Sequence, residues 1–471
     1  MTALQTTLQS TLLPAAYLVT GLLFIIGLKF LSSPARAKTG NLLAGIGMII
    51  AVVATGFDTH ILAWNDIIIG GVIGAVIGYV SARMVKMTAM PQMVAIFNGA
   101  GGGAAALVSA GELLKLSAGG APVGPAELVP IVLSAIIGAV SFAGSVIAFL
   151  KLQEWMTGRP VTYAGQQIVN VIVLALVMAV AVYIVAVAAP PWSLIALVAA
   201  AAALGALGVL PIGGADMPVV ISLLNSFTGI AVAVTGFVLG NNVLIISGTL
   251  VGASGTLLTM LMARAMNRSL TNVLFGAFGS VKTAGAGRAA AVSGGNVRTA
   301  TVEDVATLLA YGRSVIIAPG YGMAVAQAQH AVRELAANLE KRGVDVKFAI
   351  HPVAGRMPGH MNVLLAEANV PYSQLHEMDE INPQFDSCDV ALVIGANDVT
   401  NPAARNVPNS PIYGMPILDV DKAKAVVVLK RSMNPGFAGI DNPLYENPNT
   451  MMLFGDAKDS VQKLAAAVNT A

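Results

Sequence analysis

Between Arg159 and Arg264 lie 104 residues that hold one charged side chain, Asp216. A soluble domain carries about a quarter charged residues, and a charge at the centre of a bilayer costs a few kcal/mol or more. Such a stretch has lipid as its solvent. The whole 471-residue chain shows the same bias, with 56% hydrophobic and 11% charged residues. A net charge of +2 gives no basic surface for nucleic acid. The lone cysteine, Cys388, excludes an internal disulfide and any multi-cysteine metal site. The opening MTALQTTLQSTLLP lacks the basic region of a secretory signal, so the first apolar run is expected to stay in the mature protein.

About 20 apolar residues span a bilayer as a helix. On that measure about nine spans are expected, near Ala15–Leu31, Leu42–Gly56, Ile67–Ala82, Met93–Gly111, Leu128–Leu150, Ile168–Ala189, Trp192–Leu210, Met217–Leu239 and Val243–Ala263. The second and third runs are short. Gly, Ala and Ser interrupt many of the runs, which suits helices packed backbone to backbone. Alternate connections carry Lys29, Arg36 and Lys38, then Arg83 and Lys86, then Lys151 and Arg159, then Arg264 and Arg268; the others carry only Lys115. The positive-inside rule then puts the N-terminus outside and residues 265–471 in the cytoplasm.

From about Thr301 onward charged residues, Pro and Asn return, and short β-branched runs alternate with amphipathic segments. The Gly/Ala-rich stretch 281–295 between the halves reads as linker. The expected organisation is a helical membrane domain over 1–266, a linker over 267–300 and a cytoplasmic α/β domain over 301–471. In the last, SVIIAP (314–319) reads as a buried strand, Gly320-Tyr321-Gly322 as a glycine turn, and 323–343 as a helix. Further strands fit 345–352, 391–396, 416–420 and 424–432. Strand–helix alternation predicts a Rossmann-like, doubly wound parallel sheet.

A glycine turn between strand and helix lets backbone N–H groups approach a pyrophosphate, or is simply a tight turn. The third fingerprint position is Val325, so the match is partial. An NAD site places an acid at the end of the second strand; here His351-Pro352-Val353-Ala354-Gly355-Arg356 follows it, which disfavours NAD. Lys430-Arg431-Ser432 at a strand end offers two cations and a hydroxyl to a 2′-phosphate, or is a solvated basic strand end. In the membrane half Asp216 is a functional candidate by default. Asn225 and Ser226 could extend a polar track from it, and Asp216 could equally cap the helix beginning at Met217. Glu112 and Asp58 fit the outer interface.

Long motifs then point to one family. PGYGMAVAQAQ (319–329), VAGRMPGHMNVLLAEA (353–368), GANDVTNPAA (395–404) and LKRSMNPGFAGIDNPL (429–444) resemble the NADP-binding domain of proton-translocating transhydrogenases. PIGGADMPVVISLLNSFTG (211–229) and LMARAMNRS (261–269) resemble the membrane part of the same family. The resemblance implies Re/Si-specific hydride transfer from NADH to NADP+, coupled to proton movement. It implies that Gly320, Tyr321, Gly322, Met323, Ala354, Gly355, Arg356, Met357, Pro358 and Gly359 line the dinucleotide, which lies reversed relative to an ordinary dinucleotide fold. Ala396, Asn397, Asp398, Val399 and Thr400 would lie at the nicotinamide end, with Asp398 relaying to the membrane. Lys430, Arg431 and Ser432 would hold the 2′-phosphate. Met433, Asn434, Pro435, Gly436 and Phe437 would form a lid, and Asp456 and Ala457 would close the adenine side.

Only one dinucleotide fingerprint is present. NAD(H) is therefore expected on a separate subunit; the resemblance implies an alpha subunit with additional membrane helices, in a dimer of heteromers in the bacterial inner membrane. Related chains read MPELVAILH where this one reads MPQMVAIFN, so Asn98 replaces a proton-relay histidine. Of the five histidines only His60 lies in the membrane half, in an expected external loop. Asn cannot titrate near neutral pH, so the partner's helices are expected to supply the protonatable group near Asn98. The rival readings are a transporter or channel with a regulatory nucleotide domain and an assembly subunit that binds no nucleotide. The first does not account for a phosphate cradle followed by a lid; the second should bind neither NADP(H) nor NAD(H).

Overall fold

A computed structural model describes residues 11–33, 36–57, 64–85, 89–118, 124–157, 160–187, 190–213, 216–265, 297–355, 359–408, 410, 412–436 and 438–470. His60, Asp58, Lys86, Arg159, Arg268, Arg356, Met357, Pro358, Phe437 and the linker up to 296 lie outside the described residues. The chain divides into two compact units, one holding long helices and the other the sheet.

The long helices are α1 (Leu13–Leu31), α2 (Ala37–Gly56), α3 (Trp64–Met84), α4 (Met90–Ala118), α5 (Pro125–Leu152), α6 (Gln166–Ala186), α7 (Pro191–Val209), α8 (Met217–Val238) and α9 (Asn242–Ala265), which belong to the first unit as far as Thr259 of α9. These nine, among the described residues, are long and apolar enough to cross a membrane. The two spans that read as short, α2 and α3, are 20 and 21 residues long. Their polar ends, such as Lys38 and Asn41 or Asn65 and Arg83, continue the helix, because an intrahelical hydrogen bond satisfies the backbone whatever the side chain.

Proline at the first helical positions opens α1, α5, α7 and α8, where its missing N–H leaves no intrahelical bond unmade. Close packing runs through glycine. A Cβ on Gly138 of α5 would sit 2.6 Å from the Gly102 carbonyl of α4, and one on Gly248 of α9 would sit 2.6 Å from the Gly229 carbonyl of α8. The exception is α3, which has no buried residue; nothing lies within 4 Å of a Cβ built on Gly70, Gly71, Gly74 or Gly78.

The second unit opens with α10 (Val302–Tyr311), started by a capping box between Thr301 and Asp304. Next come β1 (Ser314–Pro319), α11 (Tyr321–Val325), α12 (Gln329–Lys341), β2 (Asp345–Ile350), α13 (His360–Glu367), β3 (Leu375–Glu377) and α14 (Met378–Ile381). The chain finishes with β4 (Val390–Ile394), α15 (Ala403–Asn406), β5 (Ala425–Lys430), β6 (Thr450–Phe454) and α16 (Ala457–Thr470). All strand pairs are parallel, in the order β3-β2-β1-β4-β5-β6. This is the doubly wound, Rossmann-like arrangement, with its crevice at the carboxyl edge between β1 and β4. Strand residues alternate between two cores: Val315 and Ile317 face α10, α12, α13 and α16, while Ile316 and Ala318 face Phe385, Leu418 and Tyr445.

Three local expectations are corrected. The helix expected over 323–343 is broken into α11 and α12, with Gln327 at φ 49° between them. The run 416–420 is no strand: Leu418 and Val420 are buried against the sheet, but the Leu418 N–H donates to the Val399 carbonyl, a loop partner. Burial alone gave that run its apolar pattern. Conversely, β3 and β6 escaped the reading because each is short and weakly patterned: β3 pairs with β2 alone, and β6 pairs with β5 and, on its other side, bridges only Thr299.

Candidate functional site

At the crevice two glycine turns meet backbone to backbone. A Cβ on Gly322 would lie 2.7 Å from Gly395 Cα, and Gly395 itself sits at φ +64°. The Gly320 N–H donates to the Ile394 carbonyl and the Gly322 N–H to the Gly395 carbonyl, both at 2.9 Å. Met323 N–H returns to Gly320 O at 3.1 Å. These amides are consumed inside the turn, and α11 is five residues long. The glycines are therefore required by loop-on-loop packing, and the usual offer of N–H groups to a pyrophosphate is not made by Gly320, Gly322 or Met323.

The loop after β2 lies beside them. The Tyr321 and His360 rings meet at a tilt of 52°, with centroids 6.5 Å apart. Gly355 has φ +104°, and a Cβ there would meet the His360 imidazole. Ala354 is buried, and Gly359, also left-handed, opens α13. His351 stands where a 2′-OH-binding acid would be, but it is 1% exposed. Its Nε2 donates to the Pro416 carbonyl at 2.8 Å, and its Nδ1 accepts from the Val353 N–H at 3.2 Å. Burial pushes its pKa down to about 4 against the Pro416 bond, so the ring is neutral.

Past β4, the Gly395–Thr400 loop is tied to the segment expected as a lid. Asp398 Oδ2 accepts from the Ala438 N–H at 3.0 Å. Asn442 Nδ2 donates to the Asn397 carbonyl, and Asn401 Nδ2 to the Asp441 carbonyl, each at 3.1 Å. The Asn397 amide oxygen faces the Gly436 N–H at 2.6 Å and Lys430 Nζ at 3.3 Å, and its nitrogen donates to Tyr445 Oη at 2.8 Å. The reverse orientation gives the oxygen the Asn442 Nδ2 and Tyr445 Oη donors but presses the amide nitrogen onto the Gly436 N–H at 2.6 Å, donor against donor; the first leaves the nitrogen facing Asn442 Nδ2 at 3.1 Å, the looser of the two mismatches, and is favoured. Thr400 is buried, with its hydroxyl on the Asn397 carbonyl.

The three residues of the basic triplet are placed differently. Lys430 ends β5 and turns inward: Nζ donates to the Asn434 carbonyl at 2.6 Å, reaches Tyr445 Oη at 3.3 Å and lies 4.8 Å from that ring's centre. Burial lowers its pKa, opposed by Asp398 and Asp441. Arg431 and Ser432, beyond the strand, are exposed, as are Met433, Asn434 and Pro435. Asp456 caps α16 by accepting from the Lys458 N–H at 2.9 Å, beside the buried Ala457. Tyr445, Asn442 and Asn401 were missed by sequence reasoning; the Asn442-Pro443 turn signal was the one available pointer to this cluster.

In the helical unit Asn98 is 8% exposed. Its Nδ2 donates to Ser145 Oγ at 2.9 Å and to Ser141 Oγ at 3.4 Å. Ser141 Oγ continues to Thr228 Oγ1 at 2.5 Å and to the Leu224 carbonyl at 2.9 Å. Asn98 Oδ1 is buried and has no partner among the described residues. A hydroxyl chain thus runs from α4 across α5 to α8. Sequence reasoning missed it, although Ser134, Ser141 and Ser145 recur on one face of α5. Asn225 is half-buried on α8. Asp216 occupies the N-cap position of α8 but makes no side-chain capping bond, so the capping alternative fails. Among the described residues no cluster could hold a metal ion.

The family model described as NAD(P) transhydrogenase beta subunit matches residues 13–467. Over 460 residues, 97% of this chain and 98% of the relative, the sequence is 51% identical to the NAD(P) transhydrogenase subunit beta of Rhodospirillum rubrum. The same figures hold for the protein of a named strain of that species. Nine apolar helices among the described residues, a doubly wound sheet and a match over 97% of the chain give one conclusion: the chain belongs to the NAD(P) transhydrogenase beta subunit family.

Proposed function

We propose that this chain is the membrane and NADP(H)-binding subunit of a proton-translocating transhydrogenase in a bacterial inner membrane. Residues 1–266 span the bilayer with the N-terminus outside, and residues 301–471 face the cytoplasm. NAD(H) sits on an alpha subunit with further membrane helices. Hydride passes directly between the two nicotinamides, and proton flow inward drives NADPH formation.

The observation that carries the reading is the carboxyl-edge crevice between β1 and β4, bordered by the Gly395–Thr400 loop and by exposed Arg431 and Ser432. These residues fit a phosphorylated dinucleotide. No carboxylate ends β2 to repel a 2′-phosphate, and the exposed Arg431 and the Ser432 hydroxyl, whose oxygen accepts only a long bond from the Asn434 N–H at 3.5 Å, can turn to one. The spent amides of Gly320, Gly322 and Met323 fit a reversed nucleotide whose pyrophosphate rests on the loop 354–359 instead. The bound nicotinamide supplies the carbon that accepts hydride. The chain's part is to orient it through Asn397 and Asp398 and to exclude water with residues 433–437.

Proton coupling is conformational. Asp216, Asn225 and Asn98 mark the path, the hydroxyl chain of Ser145, Ser141 and Thr228 extends it, and the partner contributes a titratable group near Asn98. By linkage, membrane protonation and NADP(H) affinity bias one another equally.

The full-length chain in detergent is titrated with NADPH and NADH. NADPH is expected to bind at least ~100-fold more tightly, and Arg431→Gln to narrow the gap about tenfold, the worth of a charge-assisted contact to phosphate. Equal binding of the two nucleotides would refute the assignment.

A further inference from the structure

We infer that Tyr445 is a positioning residue that ties the Asn397 loop to the lid segment, so that the two move as one body over the NADP(H) site. The inference rests on the nucleotide reading above. Tyr445 is 3% exposed and lies outside every motif used to place that site. Its hydroxyl is the meeting point of groups from different segments: the Asn397 amide at 2.8 Å, after β4, and Lys430 Nζ at 3.3 Å, at the end of β5. Lys430 in turn holds the Asn434 carbonyl at 2.6 Å, and the Asn397 amide oxygen holds the Gly436 N–H at 2.6 Å. Both ends of the 434–436 stretch are therefore secured through partners of one phenol.

The position of that phenol is itself fixed. Asn442 accepts the Leu444 N–H at 3.0 Å, which sets the turn carrying Tyr445, and donates back to the Asn397 carbonyl at 3.1 Å. The ring packs in the core under the sheet with Leu444 and Leu418. Burial raises its pKa well above the ordinary phenol range, so it stays protonated and neutral. It can then receive the Asn397 and Lys430 donors without drawing a charge into the core. A lid held only by its own exposed residues could open independently of the nicotinamide-end loop. With Tyr445 as their shared anchor, release of one loosens the other.

Tyr445→Phe keeps the ring, its core contacts and its place beside Lys430, and deletes only the oxygen. NADPH release is measured on the full-length chain in detergent, by loss of NADPH fluorescence after a chase with excess NADP+. The expected result is ~10-fold faster release with an unchanged association rate, the size of one buried hydrogen bond to a partly charged group. The same bond is present without nucleotide, so the thermal midpoint of the nucleotide-free variant should fall by about 2–4 °C and no more. Asn397→Ala should also speed release, and the double variant should be no faster than the faster single one, because both act through the same contact. Unchanged release in Tyr445→Phe, or additive effects, overturns the role of Tyr445 while leaving the NADP(H) assignment intact. A wild-type chain that binds no NADPH overturns both.

Discussion

His351 makes acid sensitivity of the sheet unit a quantitative expectation. The ring is buried and neutral, with Nε2 on the Pro416 carbonyl and Nδ1 receiving the Val353 N–H. A proton at Nδ1 would set donor against donor at Val353 and bury a charge. The folded pKa is about 4 against 6.5 in the unfolded chain. Between those values the unfolded chain binds a proton that the folded one does not, so stability falls as pH falls through this window and is flat outside it. At 1.36 kcal/mol per unit the span amounts to about 3 kcal/mol, a large share of a domain's typical stability of 5–15 kcal/mol. Asp389, held below the usual carboxylate range by Lys424 and the Arg313 N–H, adds acid loss of the same sign. His351→Gln isolates the imidazole, because the carboxylate contributions are common to both proteins. Urea unfolding of the full-length chain at a series of pH values, read by protease protection of β1 and β4 peptides, should show the wild type losing about 3 kcal/mol more than the variant from pH 6.5 to 4. Parallel curves over that interval would refute the neutral, buried assignment of His351.

Three further outcomes follow from the packing. Gly395→Ala places a Cβ 2.5 Å from Gly322 Cα at φ +64°, and is expected to destabilise the sheet unit by ~3–5 kcal/mol in the same urea assay. Gly343→Ala, at φ +83° with nothing within 4 Å, should lose only ~1–2 kcal/mol, which separates contact from conformation. Ser141→Ala breaks the chain from Asn98 to Thr228. With the alpha subunit present in sealed vesicles it should slow proton-driven NADPH formation about threefold or more, the worth of one hydrogen bond between membrane helices, and leave NADPH titration unchanged; unaltered turnover would remove the hydroxyl chain from the proton path.

The number of spans, the parallel sheet and the place of each glycine or basic motif at a strand end were legible in the sequence. Each depends on local quantities: run length against bilayer thickness, charge against lipid, and strand–turn–helix order. Motif recognition, however, could not say where a side chain turns. Lys430, Arg431 and Ser432 read as one cradle, yet Lys430 goes inward to Asn434 and Tyr445. The residue that receives it lies fifteen positions away and carries no local signal. The same holds for Ser141 and Thr228, whose pairing across α5 and α8 only helix packing determines. The glycines show the division most clearly. The sequence marked Gly320 and Gly322 as a turn, but only the tertiary structure supplies their reason, a second glycine loop pressed against the first where a Cβ has no room. Sequence fixes which groups the chain can offer. Distance between segments far apart in the chain decides which of them are already engaged with one another.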